Sequence, residues 1–137
     1  MRNRDLLLLS VFLIISSVFL ARTLIKPPTG AAVYGETCTL IVKDGLSEYK
    51  YEVEIRNSTA FDVLKSKFDV AYSESDYGVF ITGIKTYDWV NGTSDYYWMY
   101  FVNGKLAQVA ADKYFVQKGD NITFEYMSSE QAMNYFS

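Results

Sequence analysis

Residues able to do chemistry are sparse in this chain. Of its 137 residues none is histidine and only Cys38 is cysteine, which removes the commonest general base and the commonest metal ligand together. A hydrolase would then need a Ser–Lys pair or two converging carboxylates, and no spacing singles such a pair out. Cys38 has no partner for an internal disulfide. It reads as a small buried residue on a strand, with a bond between two chains as the sharper alternative. Asp88 and Asp95 flank Asn91 at a spacing that oxygen ligands for Ca²⁺ could use, but without an EF-hand pattern, so a solvated loop is the simpler reading. Glu74 and Asp76 also read as solvated. Aromatic surface, by contrast, is plentiful: 12 Tyr, 9 Phe and 2 Trp. Trp89, Tyr97 and Trp98 are the densest aromatic group near a loop, and Asn103 and Gln108 could add hydrogen bonds to a bound molecule. Such rings suit contact with a flat or sugar-like ligand, and they equally suit a packed core. Binding without an enzymatic step and without a resident cofactor is therefore the expectation.

The elements that would position these residues are legible from period. Cys38, Leu40 and Val42 alternate with Thr39, Ile41 and Lys43, and Asp44-Gly45 supplies a turn. Tyr49, Tyr51, Val53 and Ile55 then alternate with charged residues as a second strand. Thr59 with Asp62 three residues on is a capping box, so a helix is expected over Thr59–Phe68 with Phe61, Leu64 and Phe68 on its packed face. Gly78 to Ile84 reads as a short buried strand. Tyr96 to Val102 is apolar or aromatic throughout, as in a strand covered on both faces. Asn103-Gly104 is a strong hairpin signal, with Lys105 to Gln108 returning. After the turn at Lys118-Gly119-Asp120 comes a last strand through Ile122, Phe124 and Tyr126. The tail, 127–137, has no clear period. The order β-β-α-β-β-β-β predicts an α+β fold of β-grasp (ubiquitin-like) type, a mixed sheet with one packed helix over residues 37–126.

The first 26 residues differ in kind. Leu6 to Ala21 is an uncharged apolar run that would cover about 24 Å as a helix, against a bilayer core of about 30 Å, and Leu24 and Ile25 extend it. Arg2 and Arg4 precede the run and favour a cytoplasmic N-terminus. Phe19 precedes Ala21 where signal cleavage wants a small residue, so an uncleaved signal anchor is expected over 1–26, in place of a cleaved signal peptide. A stalk over 27–36, opening on Pro27-Pro28, would follow. The domain beyond it would lie outside a cell membrane crossed once. Arg2, Arg4, Arg22 and Lys26 against Asp5 leave the first 26 residues at net +3, so the remainder carries −6 of the chain's −3. A phosphate backbone would repel that domain, which argues against nucleic acid as a partner. Three N-x-[ST] triplets, at Asn57, Asn91 and Asn121, are candidate glycosylation sites.

The run Tyr97-Trp98-Met99-Tyr100-Phe101-Val102-Asn103-Gly104, followed by Ala110-Ala111-Asp112-Lys113-Tyr114 and Lys118-Gly119-Asp120-Asn121-Ile122, resembles the transcobalamin-like C-terminal domain family. Thr59 to Leu64 and Gly78 to Ile84 are similar to that family's helix start and third strand. The resemblance implies a domain that closes over cobalamin held against a separate helical barrel. That barrel is absent from these 137 residues, and Gln108-Val109 stands where the family commonly has a glycine. It implies a ligand-binding module for a corrinoid such as cobalamin, or for a carbohydrate, with a partner protein supplying the rest of the pocket. The alternative is a surface protein-interaction or adhesion module that takes another chain on an exposed strand edge.

Overall fold

The structure is a computed structural model that describes residues 35–136. The expected membrane helix, and all of the expected stalk but its last two residues, lie outside the described residues. Among those residues no helix is long and apolar enough to cross a membrane.

The described residues form a mixed α+β domain, mostly sheet, that is a compact unit of its own. Strands β1 (Thr37–Lys43) and β2 (Glu48–Glu54) make the expected antiparallel hairpin. Every second residue of β1 is driven inward, leaving Cys38, Leu40 and Val42 buried. Burial first, then the charges of Glu52 and Asp120, push the Cys38 thiol up to about 11, so it is a protonated core residue at neutral pH. Helix α1 (Ala60–Lys65) starts on the expected box: the Asp62 amide donates to Thr59 Oγ1 at 3.1 Å and the Thr59 amide to Asp62 Oδ2 at 3.0 Å. It is shorter than expected. The chain leaves the helix after Lys65 because β3 (Asp69–Ser75) begins directly, and Phe68 turns under Tyr49 and Tyr51 in two edge-to-face contacts.

β3 is one of two unexpected strands. It pairs with β4 (Gly78–Lys85), which pairs in turn with β5 (Trp89–Asn91), giving a separate three-stranded sheet. The expected strand at Gly78 to Ile84 therefore exists, but it does not belong to the main sheet. Thr82 is an extra residue opposite the Ala71/Tyr72 step. This bulge lets Ile81 and Ile84 both face the core although they lie three apart, a spacing a regular strand would split between faces.

The main sheet has the order β2-β1-β8-β6-β7, with β6 (Tyr96–Val102), β7 (Lys105–Leu106) and β8 (Asn121–Ser128). Its first and last strands, β1 and β8, run parallel at the centre. The tail is not featureless. Residues to Ser128 complete β8, and Ser128 caps a second helix, α2 (Ser129–Met133). Ala132 of α2 packs with Phe101 and Met127, and Tyr135 meets Phe101 edge to face. The uniform apolarity of β6 thus has its cause: the core covers one face and the C-terminal segment covers the other. Leu64 is fully buried in the core and Leu46 is 96% exposed in the first turn. Leu64→Ala should cost about 2–5 kcal/mol in urea unfolding, whereas Leu46→Ala should stay within about 0.5 kcal/mol. Similar costs for the two would contradict the packing described.

Candidate functional site

Where the two sheets meet, a groove of about 290 Å³ opens between β4 and β6. It is lined by Val79, Ile81, Trp98 and Tyr100, and by Ala107 and Ala110 of the loop after β7. No Asp, Glu, Lys or Arg lines it. The Tyr100 hydroxyl donates to the Val109 carbonyl, and burial, then Asp112 and Tyr114, push its pKa well above the usual phenol value. Tyr100 therefore stays neutral, and the groove is an uncharged apolar surface.

A buried carboxylate places the loop that borders it. Asp120, 8% exposed, accepts from Asn103 Nδ2 at 2.9 Å, the Tyr114 hydroxyl at 2.7 Å and the Gln117 amide at 2.8 Å. Burial works to raise its pKa, but those hydrogen bonds together hold it below the usual aspartate value. For Tyr114, burial and the bond to Asp120 push the phenol up to about 12. Asn103 also accepts from the Asn121 amide at 2.8 Å. The type of turn matters here: Asn103 and Gly104 both have positive φ, as a two-residue hairpin requires. Further along the same loop the Ala111 and Tyr114 carbonyls accept from the Phe61 and Ala60 amides of α1. Asp112 takes the Val79 amide at 3.0 Å. Gly78 makes that approach feasible, since at its φ of +113° a Cβ would stand 2.5 Å from both Ala110 Cβ and Asp112 Oδ1.

The five residues singled out in the sequence do not gather. Trp98, 5% exposed, is in the groove wall and donates its indole N–H to the Val90 carbonyl at 2.8 Å. Tyr97 lies on the opposite face of β6, with its hydroxyl on the Ser94 carbonyl. Trp89 is 46% exposed on β5, a strand where a loop was expected, and does not line the groove. Asn103 is occupied in the Asp120 network, and Gln108 is exposed beside Tyr135 and Phe136. Of the sequons, Asn57 is exposed at positive φ, Asn91 is in β5 and Asn121 begins β8. Asp88 and Asp95 are exposed. Among the described residues no three Cys, Asp or Glu side chains gather to hold a metal ion. Gly78, Val79 and Ile81 were missed because small and aliphatic residues advertise no chemistry, and the glycine before β4 was the available signal.

Two solved structures share this fold. Haptocorrin, solved in complex with Cbi, is similar in structure with a TM-score of 0.61 and 18% identity over 68% of this chain and 25% of its own. A candidate metal-binding protein from Ruminococcus gnavus is similar with a TM-score of 0.58 and 23% identity, over 69% of this chain and 98% of that one. The chain thus spans about a quarter of haptocorrin and nearly all of the bacterial protein. No curated protein matches it. Residues 57–128, more than half of the chain, match the family described as Domain of unknown function (DUF4430), and the chain belongs to that family.

Because the folded pKa of Asp120 is depressed, its contribution to stability is present above the unfolded value of about 3.9 and is lost as pH falls through the lower folded value. Asp120→Ala should cost about 3 kcal/mol at neutral pH. Denaturation across acid pH should show the gap to the parent chain shrinking. A gap as large at about pH 2 as at neutrality would show that the carboxylate charge is not what the network uses.

Proposed function

We propose that this is a membrane-tethered, extracytoplasmic ligand-binding module whose ligand enters the groove between β4 and β6. The observation that carries the reading is the groove itself, an apolar, uncharged recess at a sheet junction in which the Ser75 and Tyr100 hydroxyls are already engaged. A lining without acid or base supports a binder over an enzyme. The parallel β1–β8 pair at the centre of the sheet supports a β-grasp reading, here enlarged by a second sheet and a second helix. The transcobalamin-like resemblance and the likeness to haptocorrin in complex with Cbi support a corrinoid as the first ligand to test, with carbohydrate second. A recess of about 290 Å³ would cover only part of such a molecule, which supports a partner protein completing the pocket. The tether rests on the run Leu6 to Ala21 behind Arg2 and Arg4.

Equilibrium binding of corrinoids and of a glycan panel to the full chain should give a saturable complex. Ala107→Phe, which fills the groove, should weaken it at least about tenfold, while Trp89→Ala should leave it unchanged. The reverse pattern would move the site to β5, and absence of any complex would count against the reading. For the tether, protease added to intact cells should digest the domain, and full protection would refute the topology.

A further inference from the structure

The groove is bordered by strand edges as well as side chains. Consecutive residues line each wall, Gly78 to Ile81 on β4 and Trp98 to Tyr100 on β6, as expected where main chain faces the space. In β6 the odd-numbered residues turn their amides and carbonyls to β8: the Asn103 amide donates to the Asn121 carbonyl and the Ser129 amide to the Asp95 carbonyl, on either side of the ladder. The even-numbered residues therefore face away from β8. There the Tyr96 carbonyl takes the Thr93 amide and the Tyr100 carbonyl takes the Ala107 amide. Between those two, β7 is too short to reach, since it pairs only with Phe101 and Val102. Among the described residues nothing partners the Trp98 amide, the Trp98 carbonyl or the Tyr100 amide.

The facing wall repeats the pattern. Ser75 and Gly78 close the two-residue turn between β3 and β4, so the main-chain groups of Val79 and Ile81 point away from β3. Asp112 takes the Val79 amide, whereas the Val79 carbonyl and the Ile81 amide have no partner among the described residues. β5 pairs with β4 only from Gly83 onward.

We infer that the groove receives a short extended polypeptide strand from another protein, which hydrogen-bonds through its main chain to the open β6 edge at Trp98 and Tyr100. The inference rests on the groove being the binding surface. Unpaired amides and carbonyls in an apolar recess call for a ligand that alternates donor and acceptor along an extended line, and a peptide backbone does so at about 3.3 Å per residue. The stretch Gly78 to Ile81 spans about 13 Å, room for about four residues. Side chains entering the groove must be small and apolar, because nothing there compensates a charge. The flanks of the strand are expected to be basic, because Glu74 and Asp76 lie on β3 and its turn, and the domain carries net negative charge.

The test uses the full chain in lipid nanodiscs and the peptide acetyl-Lys-Val-Ala-Val-Ala-Lys-amide. Amide hydrogen exchange read by mass spectrometry should slow at least about tenfold over the segments holding Ile81 and Trp98 to Tyr100. The same peptide N-methylated at alternate residues, and the Ala107→Phe chain, should each lose the protection. Equal protection by the N-methylated peptide would overturn the inference and leave the groove as a binding surface. So would a peptide that protects nothing while a corrinoid binds and is blocked by Ala107→Phe. Peptide binding that Ala107→Phe does not alter would overturn both readings.

Discussion

A single buried carboxylate holds together parts of the chain that no continuous element joins. Asp120 meets the turn after β6 through Asn103, the loop after β7 through Tyr114 and its own turn through the Gln117 amide, while its carbonyl takes the Thr39 amide of β1. Burying an ionised carboxylate costs several kcal/mol unless its lone pairs are filled. Three donors at 2.7–2.9 Å fill most of them, and hydrogen bonds to a charged group contribute about 1.5–3 kcal/mol each. The loop that Asp120 fixes then serves the helix. The Tyr114 and Ala111 carbonyls take the first two α1 amides, the Thr59 hydroxyl takes the third, and the Thr59 amide itself goes to the Asp62 carboxylate. All four N–H groups that a helix start leaves without internal partners are satisfied. The helix start, the groove loop and the central strands are consequently one hydrogen-bonded assembly.

Much of that assembly is written locally, and so it was legible. Alternation in Cys38 to Val42, the Thr59/Asp62 box, Asn103-Gly104 and the glycine before Asp120 each fix backbone geometry within a few residues. What was not legible depends on distant neighbours. β3 is an exposed edge strand whose sequence lacks alternation, and β5 is three residues long. The Thr82 bulge erases the period of β4 by bringing Ile81 and Ile84 to one face. α2 buries only Ala132, too little to mark a helical stripe.

The aromatic residues singled out in the sequence are not brought together, for a related reason. Tyr97 and Trp98 are adjacent in sequence, and the two-residue period of a strand puts adjacent residues on opposite faces. Density along the chain is therefore a poor guide to density in space. The groove unites Gly78 to Ile81, Trp98 to Tyr100 and Ala107 to Ala111, segments whose union only the sheet topology reveals.

The groove exists because the seam between the two sheets is fastened at its ends and not in between. At one end Trp98 and Tyr126, 5.3 Å apart between rings, send their polar groups across the seam to the carbonyls of Val90 and Asn91, both at 2.8 Å. At the other, Asp112 holds the Val79 amide against the start of β4. These contacts use side chains to reach main chain, which keeps the sheets together without continuing the ladder. A ladder running through the seam would have paired the edges of β4 and β6 and filled the space with backbone. Fastening by side chains leaves both edges bare along the same short stretch, so the apolar recess and its unpaired amides have one origin.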